Sequence, residues 1–422
     1  MELRAAERRR VVVTGCGVVS PLGNTTADFW AALLAGRSGV SAVTRFDAGQ
    51  LPVRIGGDVT DFDPVATGVL TPQQARRTDR FTQYAAVAAA QALAAAGLHP
   101  PAGVDPHRFA AVIGSGYGAA PAIQQQYDIL KEQGPRRVSP YHSVLTAIDH
   151  PTSLLSIEHG IAGPSHAVSA ACATGAVAIG EAVELIRHGR ADLALAGGTD
   201  DSLTAVDLAG TANAKALSRR NDDPEGASRP FDRDRDGFVM AVGATVLTLE
   251  EAEHAQRRGA PILAEVAGYA ATTDAHHATA PDPTGAGAVR AMRAALADAG
   301  RAPEDVGQIS AHGTGTVLND RIEAAALREV LGPDVLRRTP VTAVKSMTGH
   351  MLGASGAAEA AAAVLSLRDR VVPPIRNCDH PDEPDLDLVT KGPRDWDGDV
   401  VLSNSFGFGG HNAVLVLTRY TG

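Results

Sequence analysis

Residues 168–175 read Val-Ser-Ala-Ala-Cys-Ala-Thr-Gly and place one cysteine, Cys172, among small side chains. The run that follows, Ala176 to Ile186, repeats apolar residues at three- and four-residue steps, which predicts a helix. The thiol therefore lies between an extended apolar segment and the start of a helix, where the backbone amides and the helix dipole lower a thiol pKa. This pattern favours a nucleophile. The alternative is a small buried hydrophobic residue, which is the usual role of an isolated cysteine in alanine-rich sequence.

Length and composition limit the class of protein. The chain of 422 residues is too long for one ordinary core, so we expect two domains or two packed halves. Its 44% hydrophobic and 20% charged residues are typical of a soluble globular protein, and its net charge of −10 disfavours nucleic-acid and membrane partners. The start, Met1 to Arg10, is charged and is followed by only a short apolar run, so we predict no signal peptide and a cytoplasmic location.

Cysteine and glycine spacing exclude several kinds of site. Cys16, Cys172 and Cys378 are far apart and odd in number, which argues against a disulfide framework and for a reducing compartment. No CxxC or Cys/His cluster suggests zinc, so no metal site is expected. The glycines of the segment 114–118 do not form a GxGxxG pattern, so we predict no dinucleotide site there.

Predicted strands and helices alternate along the chain, which indicates α/β layers with largely parallel sheets. The main predicted strands are 11–19, 109–113, 191–198, 239–249, 262–269, 308–311 and 339–344, and the main helices are 28–35, 85–96, 176–186, 250–258, 286–299, 321–331 and 353–365. The strand, turn and small-residue helix around Cys172 are similar to the strand, the turn 345–350 and the helix that follows it. We therefore expect a duplicated unit whose two equivalent helix N-termini could converge on one site.

Three further segments carry candidate chemistry. They are AHGTGT (311–316), VKSMTGH (344–350) and NSFGFGG (404–410). His312 follows a predicted strand, Lys345 and His350 share the second segment, and the third is a glycine-rich turn between two apolar strands. Taken singly, each has an ordinary alternative: a core histidine, a solvated lysine or a plain hairpin. Together with Cys172, in this order, they indicate one catalytic site.

In combination these segments resemble the β-ketoacyl-acyl carrier protein synthases, the condensing enzymes of the thiolase superfamily. The similarity runs from VVTG (12–15) to the turn at 404–410 and includes ASRPFD (227–232) and RDGF (235–238). It implies a thiolase-like α/β fold in which two duplicated halves form a five-layered α-β-α-β-α sandwich. The half 11–253 would carry Cys172, and the half 260–422 would carry both histidines.

The resemblance also implies an acyltransferase with a two-step reaction. Cys172 would take an acyl chain from an acyl carrier protein, and malonyl carrier protein would then lose carbon dioxide and attack the acyl-cysteine to give a β-ketoacyl product. His312 and His350 match the family's pair and would donate Nε2–H to the enolate oxygen. The backbone amides of Cys172 and Phe408 would bind the acyl carbonyl oxygen. The enzyme would need no cofactor of its own, because the carrier protein brings the phosphopantetheine arm.

Further roles are carried over from the family, residue by residue. Lys345 would pair with Glu359 and orient the histidines, with Asp320 and Glu323 as supporting groups near it. The implied substrate-binding residues are Thr314 and Thr316 for the phosphopantetheine arm, Phe408 as the gate with Phe406, and Tyr117, His142 and Asp149 at the acyl chain. The implied docking residues for the acidic carrier protein are Arg76, Arg77, Arg136, Arg137 and Lys215, each of which could instead be an ordinary solvated charge.

Departures from the housekeeping fatty-acid enzymes favour one pathway. Bulk at Tyr117, a carboxylate at Asp149 and the segment GGTD (197–200) favour the ketosynthase subunit of a type II polyketide synthase, which would take a functionalised chain. The alternative is a fatty-acid chain-elongating 3-oxoacyl synthase. The chain would pair with itself or with a paralogous chain-length-factor subunit.

Four other classes fit the residues less well. A degradative thiolase needs a second catalytic cysteine, and neither Cys16 nor Cys378 is suitably placed. The starter-unit synthases have asparagine where this chain has His350. A catalytically silent chain-length partner would lack Cys172. A cysteine hydrolase would need a base and an attacking water rather than two donors for an enolate.

Overall fold

The computed structural model describes residues 8–98 and 103–422, so most of the charged start, on which the signal-peptide prediction rests, lies outside the described residues. Eleven of its strands join in one mixed sheet. These strands are β1 (Val11–Val19), β2 (Phe109–Gly114), β3 (Ser165–His166), β4 (Leu193–Asp200), β5 (Gly243–Glu251), β6 (Ala264–Thr273), β7 (Gln308–Ser310), β8 (Pro340–Thr342), β9 (Asp387–Leu388), β10 (Val400–Gly407) and β11 (His411–Thr418). Two short pairs, Val40–Ala42 with Ile55–Gly57 and Val371–Val372 with Arg394–Asp395, lie apart from it.

The helices lie between and around these strands. They are α1 (Thr26–Leu34), α2 (Pro72–Ala75), α3 (Arg80–Ala95), α4 (Ala120–Gln133), α5 (His142–Leu145), α6 (His150–His159), α7 (Thr174–Arg187), α8 (Ala205–Asn213), α9 (Ala252–Arg257), α10 (Ala286–Asp298), α11 (Val317–Leu336), α12 (Lys345–Thr348) and α13 (Ser355–Asp369). Several begin with a side-chain cap. Asp79 accepts from the Phe81 amide at the start of α3, for example, and Thr316 accepts from the Asn319 amide at the start of α11.

The sheet consists of two halves with the same topology. In space the first half runs β3-β2-β4-β5-β1, and the second runs β8-β7-β10-β11-β6, with β9 added at its edge. Equivalent pairs have the same direction, since β2–β3, β2–β4, β7–β8 and β7–β10 are parallel and β4–β5, β5–β1, β10–β11 and β11–β6 are antiparallel. The two halves meet where β1 and β6 pair over two residues on each strand. This repeat confirms the predicted duplication.

Three layers of helix enclose the two half-sheets. The central layer is α7 and α13, whose apolar residues share one buried core with strands of both halves. On the outer side of the first half, α3 packs against the opposite faces of β2 and β4, and α10 and α11 do the same for the second half. Alternation along β4 shows the division, because Ala194 and Ala196 face the central helices while Leu193 and Leu195 face α3. The result is the predicted α-β-α-β-α order.

Small residues allow the two central helices to approach closely at their N-termini. A Cβ atom on Gly175 would lie 2.6 Å from the backbone nitrogen of Ala357, and one on Gly356 would lie 2.8 Å from that of Ala176. A side chain at either position would force the facing helix to shift, so glycine gives the closest packing at both. The equivalent helix starts therefore converge, as the sequence similarity of the two segments predicts.

The structure differs from the sequence prediction in several places. The sheet is mixed rather than largely parallel, because its central pairs, from β4–β5 to β10–β11, are antiparallel. The strand predicted at 239–249 is β5, which begins at Gly243 and continues through Glu251, so the next helix starts only at Ala252. The segment between β2 and β3 holds three helices that the sequence pattern does not predict. Many of its apolar side chains face solvent in this chain, which removes the inward-facing periodicity on which such a prediction depends.

Candidate active site

Cys172 lies in a tight turn, Ala171–Ala173, immediately before α7. Ala171 adopts a φ of 48°, a left-handed conformation that costs energy for a residue with a side chain, and this strain turns the chain sharply before the cysteine. The thiol is 8% exposed and lies on the wall of a cavity of about 270 Å³. Burial raises the pKa of the Cys172 thiol to about 11, although the Lys345 charge and the Phe408 N–H act in the opposite direction. The direction of the pKa shift is therefore opposite to the predicted lowering, because desolvation outweighs the nearby charge and N–H.

His312 follows β7 and has one defined ring orientation. Its Nδ1 lies 3.1 Å from the Lys345 ammonium, which also donates to the His312 carbonyl oxygen at 2.7 Å. Because an ammonium can only donate, Nδ1 must accept and the ring proton must be on Nε2. Burial, followed by the positive charge of Lys345, lowers the pKa of His312 well below its ordinary value, so the ring is neutral. His312 therefore presents an N–H donor to the cavity that it lines.

His350 has the same tautomer for a different reason. Its Nδ1 accepts from the backbone N–H of Leu352 at 3.3 Å and lies 2.9 Å from the Ser355 hydroxyl. A backbone N–H can only donate, so the proton is again on Nε2. Burial lowers the pKa of His350 well below its ordinary value, and its Nε2 is buried and has no hydrogen-bond partner among the residues that the structure describes. The centroids of the two imidazole rings lie 5.5 Å apart, and both rings line the cavity beside Cys172. Two neutral donors therefore face one cavity.

Lys345 and Glu359 form an ion pair that is almost completely buried. The three hydrogen bonds of the ammonium go to His312 Nδ1, the His312 carbonyl and Glu359 Oε1, which uses all three of its N–H groups. Burial raises the pKa of Glu359 to about 7, against the opposite effect of Lys345. The predicted pairing is present, and it fixes the ring of His312 directly.

Glu323 and Asp320 hold the backbone of the loop that carries His312. Glu323 accepts from the His312 and Gly313 amides at 2.8 and 2.9 Å, and Asp320 accepts from the Gly315 amide at 3.2 Å. Both carboxylates lie on α11 and are buried. They were predicted as supporting groups near Lys345, and in the structure their contacts are with this loop.

The glycine-rich turn after β10 closes the site on the other side of the cysteine. A Cβ atom on Gly407 would lie 2.9 Å from the Ala170 carbonyl oxygen and 3.0 Å from the Cys172 nitrogen, so only glycine allows this approach. The backbone N–H of Phe408 acts to lower the pKa of the Cys172 thiol, against the larger effect of burial. The Phe408 side chain is 37% exposed at the cavity, and the Phe406 ring lies 5.8 Å from that of His312.

The predicted substrate-binding residues divide into two groups. Thr314 and Thr316 line the cavity, and their hydroxyls lie 3.0 Å apart. Tyr117, His142 and Asp149 are not among the residues that line it. Tyr117 is close enough for the Cys172 charge to affect its pKa, but its side chain is 39% exposed, and Asp149 is exposed as well.

The predicted docking residues are all on the surface. Lys215 lines the cavity and is exposed, with a left-handed φ of 58°. Four arginines, Arg76, Arg77, Arg136 and Arg137, are exposed away from the cavity lining. Arg77 stacks over the Tyr141 ring at 4.7 Å.

Sequence reasoning did not find three groups that support the site. The Leu352 amide and the Ser355 hydroxyl orient His350, but neither has a sequence signal beyond its position at a predicted helix start. Asp200 is fully buried and bonds to the turn that follows His350. A carboxylate at the end of an apolar strand is a signal that could have identified Asp200.

Metal and membrane features are absent from the described part of the chain. Within residues 8–98 and 103–422, no cluster of three or more His, Cys, Asp or Glu side chains is arranged to hold a metal ion. No helix in those ranges combines the length and apolar character needed to span a bilayer. All three cysteines lie in those ranges, are buried and form no disulfide.

Comparison with known families gives two adjacent matches. The family described as β-ketoacyl synthase, N-terminal domain matches residues 8–255, and the family described as β-ketoacyl synthase, C-terminal domain matches residues 263–379. Similar curated proteins include 3-oxoacyl-[acyl-carrier-protein] synthase 2 of Coxiella burnetii, 47% identical over 98% of this chain and 99% of that protein. The protein of the same name from Synechocystis is 46% identical over the same shares.

Solved structures include similar folds. The ishigamide ketosynthase/chain length factor has a TM-score of 0.90 and is 36% identical, covering 98% of this chain and all of that one. A type II polyketide synthase ketosynthase, described as bound to a hexaketide and in complex with its acyl-carrier protein, also has a TM-score of 0.90. It is 33% identical over the same shares.

Proposed function

The chain belongs to the β-ketoacyl synthase family, and from this membership we propose the reaction of its site. It condenses a malonyl thioester with an acyl chain held on Cys172, with loss of carbon dioxide, and so is a 3-oxoacyl-acyl carrier protein synthase. The substrates arrive on acyl carrier protein, whose phosphopantetheine arm enters the cavity past Thr314 and Thr316. The enzyme supplies no cofactor of its own.

The observation that carries this proposal is the pair of neutral histidines. Each accepts a hydrogen bond at Nδ1 from a group that can only donate, so each presents Nε2–H to the cavity beside Cys172. Loss of carbon dioxide from a malonyl thioester places negative charge on the thioester oxygen, and two fixed donors stabilise that charge without reorganisation. A hydrolase would instead need a histidine that accepts a proton from water.

The first step transfers the acyl group. The Cys172 sulfur attacks the thioester carbon, the carbon–sulfur bond to the pantetheine arm breaks, and the departing pantetheine sulfur takes the proton that the thiol loses. The amides of Cys172 and Phe408 are the donors for the acyl oxygen, since the approach of Gly407 to Cys172 brings the two backbone segments together. Because the resting thiol is protonated, nucleophile formation is coupled to the arrival of the substrate.

The second step forms the carbon–carbon bond. The bond between the malonyl carboxylate and its neighbouring carbon breaks, and carbon dioxide leaves. The remaining electron pair, held as an enolate by His312 and His350, attacks the acyl carbon on Cys172. The thiolate then leaves and regains a proton. In this scheme Lys345 and Glu359 keep His312 in the donating tautomer, Glu323 and Asp320 hold its loop, and Phe408 with Phe406 forms the wall between acyl chain and malonyl group.

For the pathway we propose fatty-acid chain elongation. The comparisons support this alternative better than the polyketide function that the sequence departures favoured. The relatives with 46–47% identity are named 3-oxoacyl-[acyl-carrier-protein] synthase 2, which is the predicted alternative, while the polyketide neighbours are 33–36% identical. The exposure of Asp149 also weakens the argument for a pocket with polar groups. Acyl-chain contacts of Tyr117 and His142 stay predictions.

Intact-mass analysis tests this function. The protein is offered saturated and ketonic acyl carrier proteins, and the mass of the loaded chain is measured. We expect an acyl adduct from saturated donors, no adduct in Cys172→Ala, and an unchanged adduct in the matched control Cys378→Ala. Malonyl carrier protein added to the loaded enzyme should then release carbon dioxide. A wild type that forms no adduct would overturn the assignment, and faster loading by ketonic donors would return the pathway to polyketide synthesis.

We further propose that the chain forms a homodimer through the free edge of β3. Both residues of this strand are exposed, and so is the apolar side chain of Ile157, which is 77% exposed on α6, a helix that packs against β3. A bare strand edge beside exposed apolar surface is a strong candidate for pairing. Native mass spectrometry of the purified chain should give a dimer, with Ile157→Glu shifting it to monomer. Dimers that form only with a paralogous subunit would support the heterodimer alternative.

Docking of the carrier protein and the division of the chain complete the proposal. An acidic carrier protein would approach the cavity beside Lys215, with the four exposed arginines as additional contacts, and weaker loading of Lys215→Glu would support this.

We take 11–253 and 260–422 as the two halves, which agrees with the repeated strand order, and we retain the prediction of a cytoplasmic location.

A further inference from the structure

Asp200 is a buried carboxylate that none of the steps above uses. It ends β4, has no solvent exposure, and accepts five hydrogen bonds. On one side Oδ1 accepts from the Ser115 hydroxyl at 2.6 Å and from the Gly116 and Tyr117 amides at 3.1 and 2.9 Å. On the other side Oδ2 accepts from the Gly353 amide at 2.6 Å and shares the Gly116 amide at 3.1 Å. One side chain therefore connects two separate segments around the site.

The Gly353 side of this arrangement leads to His350. Gly353 belongs to the turn Leu352–Ala354, which begins at a strained residue, Leu352, with a φ of 49°. The amide of Leu352 donates to His350 Nδ1 and so determines the tautomer of that ring. Since Asp200 holds the next residue of the same turn, it keeps the Leu352 amide directed at the histidine.

The other side leads to the wall beside Cys172. A Cβ atom on Gly116 would lie 3.6 Å from the carbonyl oxygen of Ala171, the residue before the nucleophile. The Ser115 hydroxyl, besides donating to Asp200, accepts from the Gly118 amide at 2.8 Å and so closes the 115–118 loop on itself.

We propose that Asp200 is a positioning residue that keeps His350 in its Nε2–H tautomer through the turn at Leu352–Ala354. It also holds this turn in fixed relation to the 115–118 loop. The inference rests on the proposed condensation, because it assigns His350 as an enolate donor. Without the hydrogen bond from Gly353 to Asp200, the His350 ring can rotate, or it can carry its proton on Nδ1 and donate it to the Ser355 hydroxyl. A bare Nε2 would then face the enolate oxygen and repel it.

The variant Asp200→Asn tests this with little change in size. The asparagine side chain has one oxygen, and three donors of the 115–118 loop attract it. Its NH2 group therefore faces the Gly353 amide, so two donors meet and no hydrogen bond forms there. The turn should loosen while the loop stays held. We expect carbon dioxide release to fall about 10- to 100-fold, the usual cost of a catalytic group misplaced by about 1 Å, with acyl loading of Cys172 nearly unchanged.

Two variants separate positioning from simple loss of stability. Asp201→Asn removes the neighbouring buried carboxylate, which pairs with Arg45 outside the site. This variant should destabilise the fold and lower the two half-reactions, acyl loading and carbon dioxide release, by the same factor. Ser115→Ala removes a loop-side bond and keeps the Gly353 bond, so it should slow acyl loading more than carbon dioxide release. Equal effects of Asp200→Asn and Asp201→Asn on both half-reactions would overturn the proposal.

The tautomer can also be observed directly. Nitrogen-15 NMR of histidine-labelled protein distinguishes protonated from bare ring nitrogens, and the His350 signals are assigned by their loss in His350→Asn. We expect Nε2–H in the wild type and a population with Nδ1–H in Asp200→Asn. An unchanged tautomer in a folded Asp200→Asn would reject the inference. A wild type that releases no carbon dioxide would instead reject the proposed condensation, so the two failures are distinguishable.

Discussion

Replacing Lys345 with methionine separates the two effects of its ion pair. In Lys345→Met the thioether fills a similar space, but Glu359 loses its cation at a position that is 1% exposed. Removing one partner of a buried pair costs about 3–5 kcal/mol, and we expect the lower end. The reason is that the pKa of Glu359 is already raised to about 7 with Lys345 present, so without it the carboxyl can become neutral by taking up a proton.

The second variant, Lys345→Met with Glu359→Leu, removes both charges. Replacing a buried ion pair with apolar side chains of similar volume is often neutral for stability, so urea-induced unfolding should recover most of the loss. Activity should not recover. His312 Nδ1 has lost the donor that forced its proton onto Nε2, and losing one oxyanion donor costs about a hundred- to a thousandfold in rate.

A pH series checks the cause. A carboxyl whose folded pKa is raised above its unfolded value binds more protons when folded, so Lys345→Met should lose stability as pH rises through the interval between those two values. The double variant lacks the Glu359 carboxyl and should show a shallower slope than Lys345→Met, because that carboxyl no longer contributes. Carbon dioxide release near the wild-type rate in either variant would refute the role of Lys345 in orienting His312. A double variant as unstable as the single one would refute the account of the unpaired carboxyl.

Three other predictions use single substitutions or labelling. Alkylation of Cys172 by iodoacetamide should accelerate about tenfold per pH unit from neutral pH to pH 9 without levelling, because the pKa of its thiol is raised to about 11; a plateau near pH 8 would contradict this. Gly175→Ala should lower the free energy of unfolding by about 1–3 kcal/mol because its methyl group meets a backbone nitrogen at 2.6 Å. Its control Gly210→Ala, in the open on α8, should raise that free energy by about 0.5–1 kcal/mol, and a drop in the control would contradict the packing argument. His350→Asn should lower carbon dioxide release about a hundred- to a thousandfold while acyl loading continues, and an equal loss in both half-reactions would refute its role as an enolate donor.

The sequence predicted the elements and the main chemical groups of the site. These predictions rest on local patterns: the alternation of strands and helices, the small residues around Cys172 and the similar segment before α13. Each of these patterns depends on neighbouring residues, and the structure retains them. Family resemblance supplied the pairing of Lys345 with Glu359, which no spacing rule would give for residues fourteen positions apart on different helices.

Other features depend on packing that a linear pattern does not contain. The thiol pKa is the clearest case, because the effect of the helix start is visible in the sequence whereas burial of Cys172 depends on Gly407 and the turn around it. The supporting role of Asp200 is similar. Its partners at Ser115 and Gly353 lie 85 and 153 residues away in the chain, and only the close approach of the two helix starts brings them together.

The hairpin of β10 and β11 affects how the site is completed during synthesis. It is the last regular structure among the described residues, yet it occupies the middle of its half-sheet, between β7 and β6. The ribosome therefore synthesises Cys172, His312, His350 and Lys345 before β10 and β11, the two strands that lie between β7 and β6 in the sheet. Until residues 400–418 insert there, the thiol lacks the Phe408 N–H, and β6 and β7 have no strand between them. A nascent chain that stops short of this hairpin is consequently an unfinished enzyme with every reactive side chain already present.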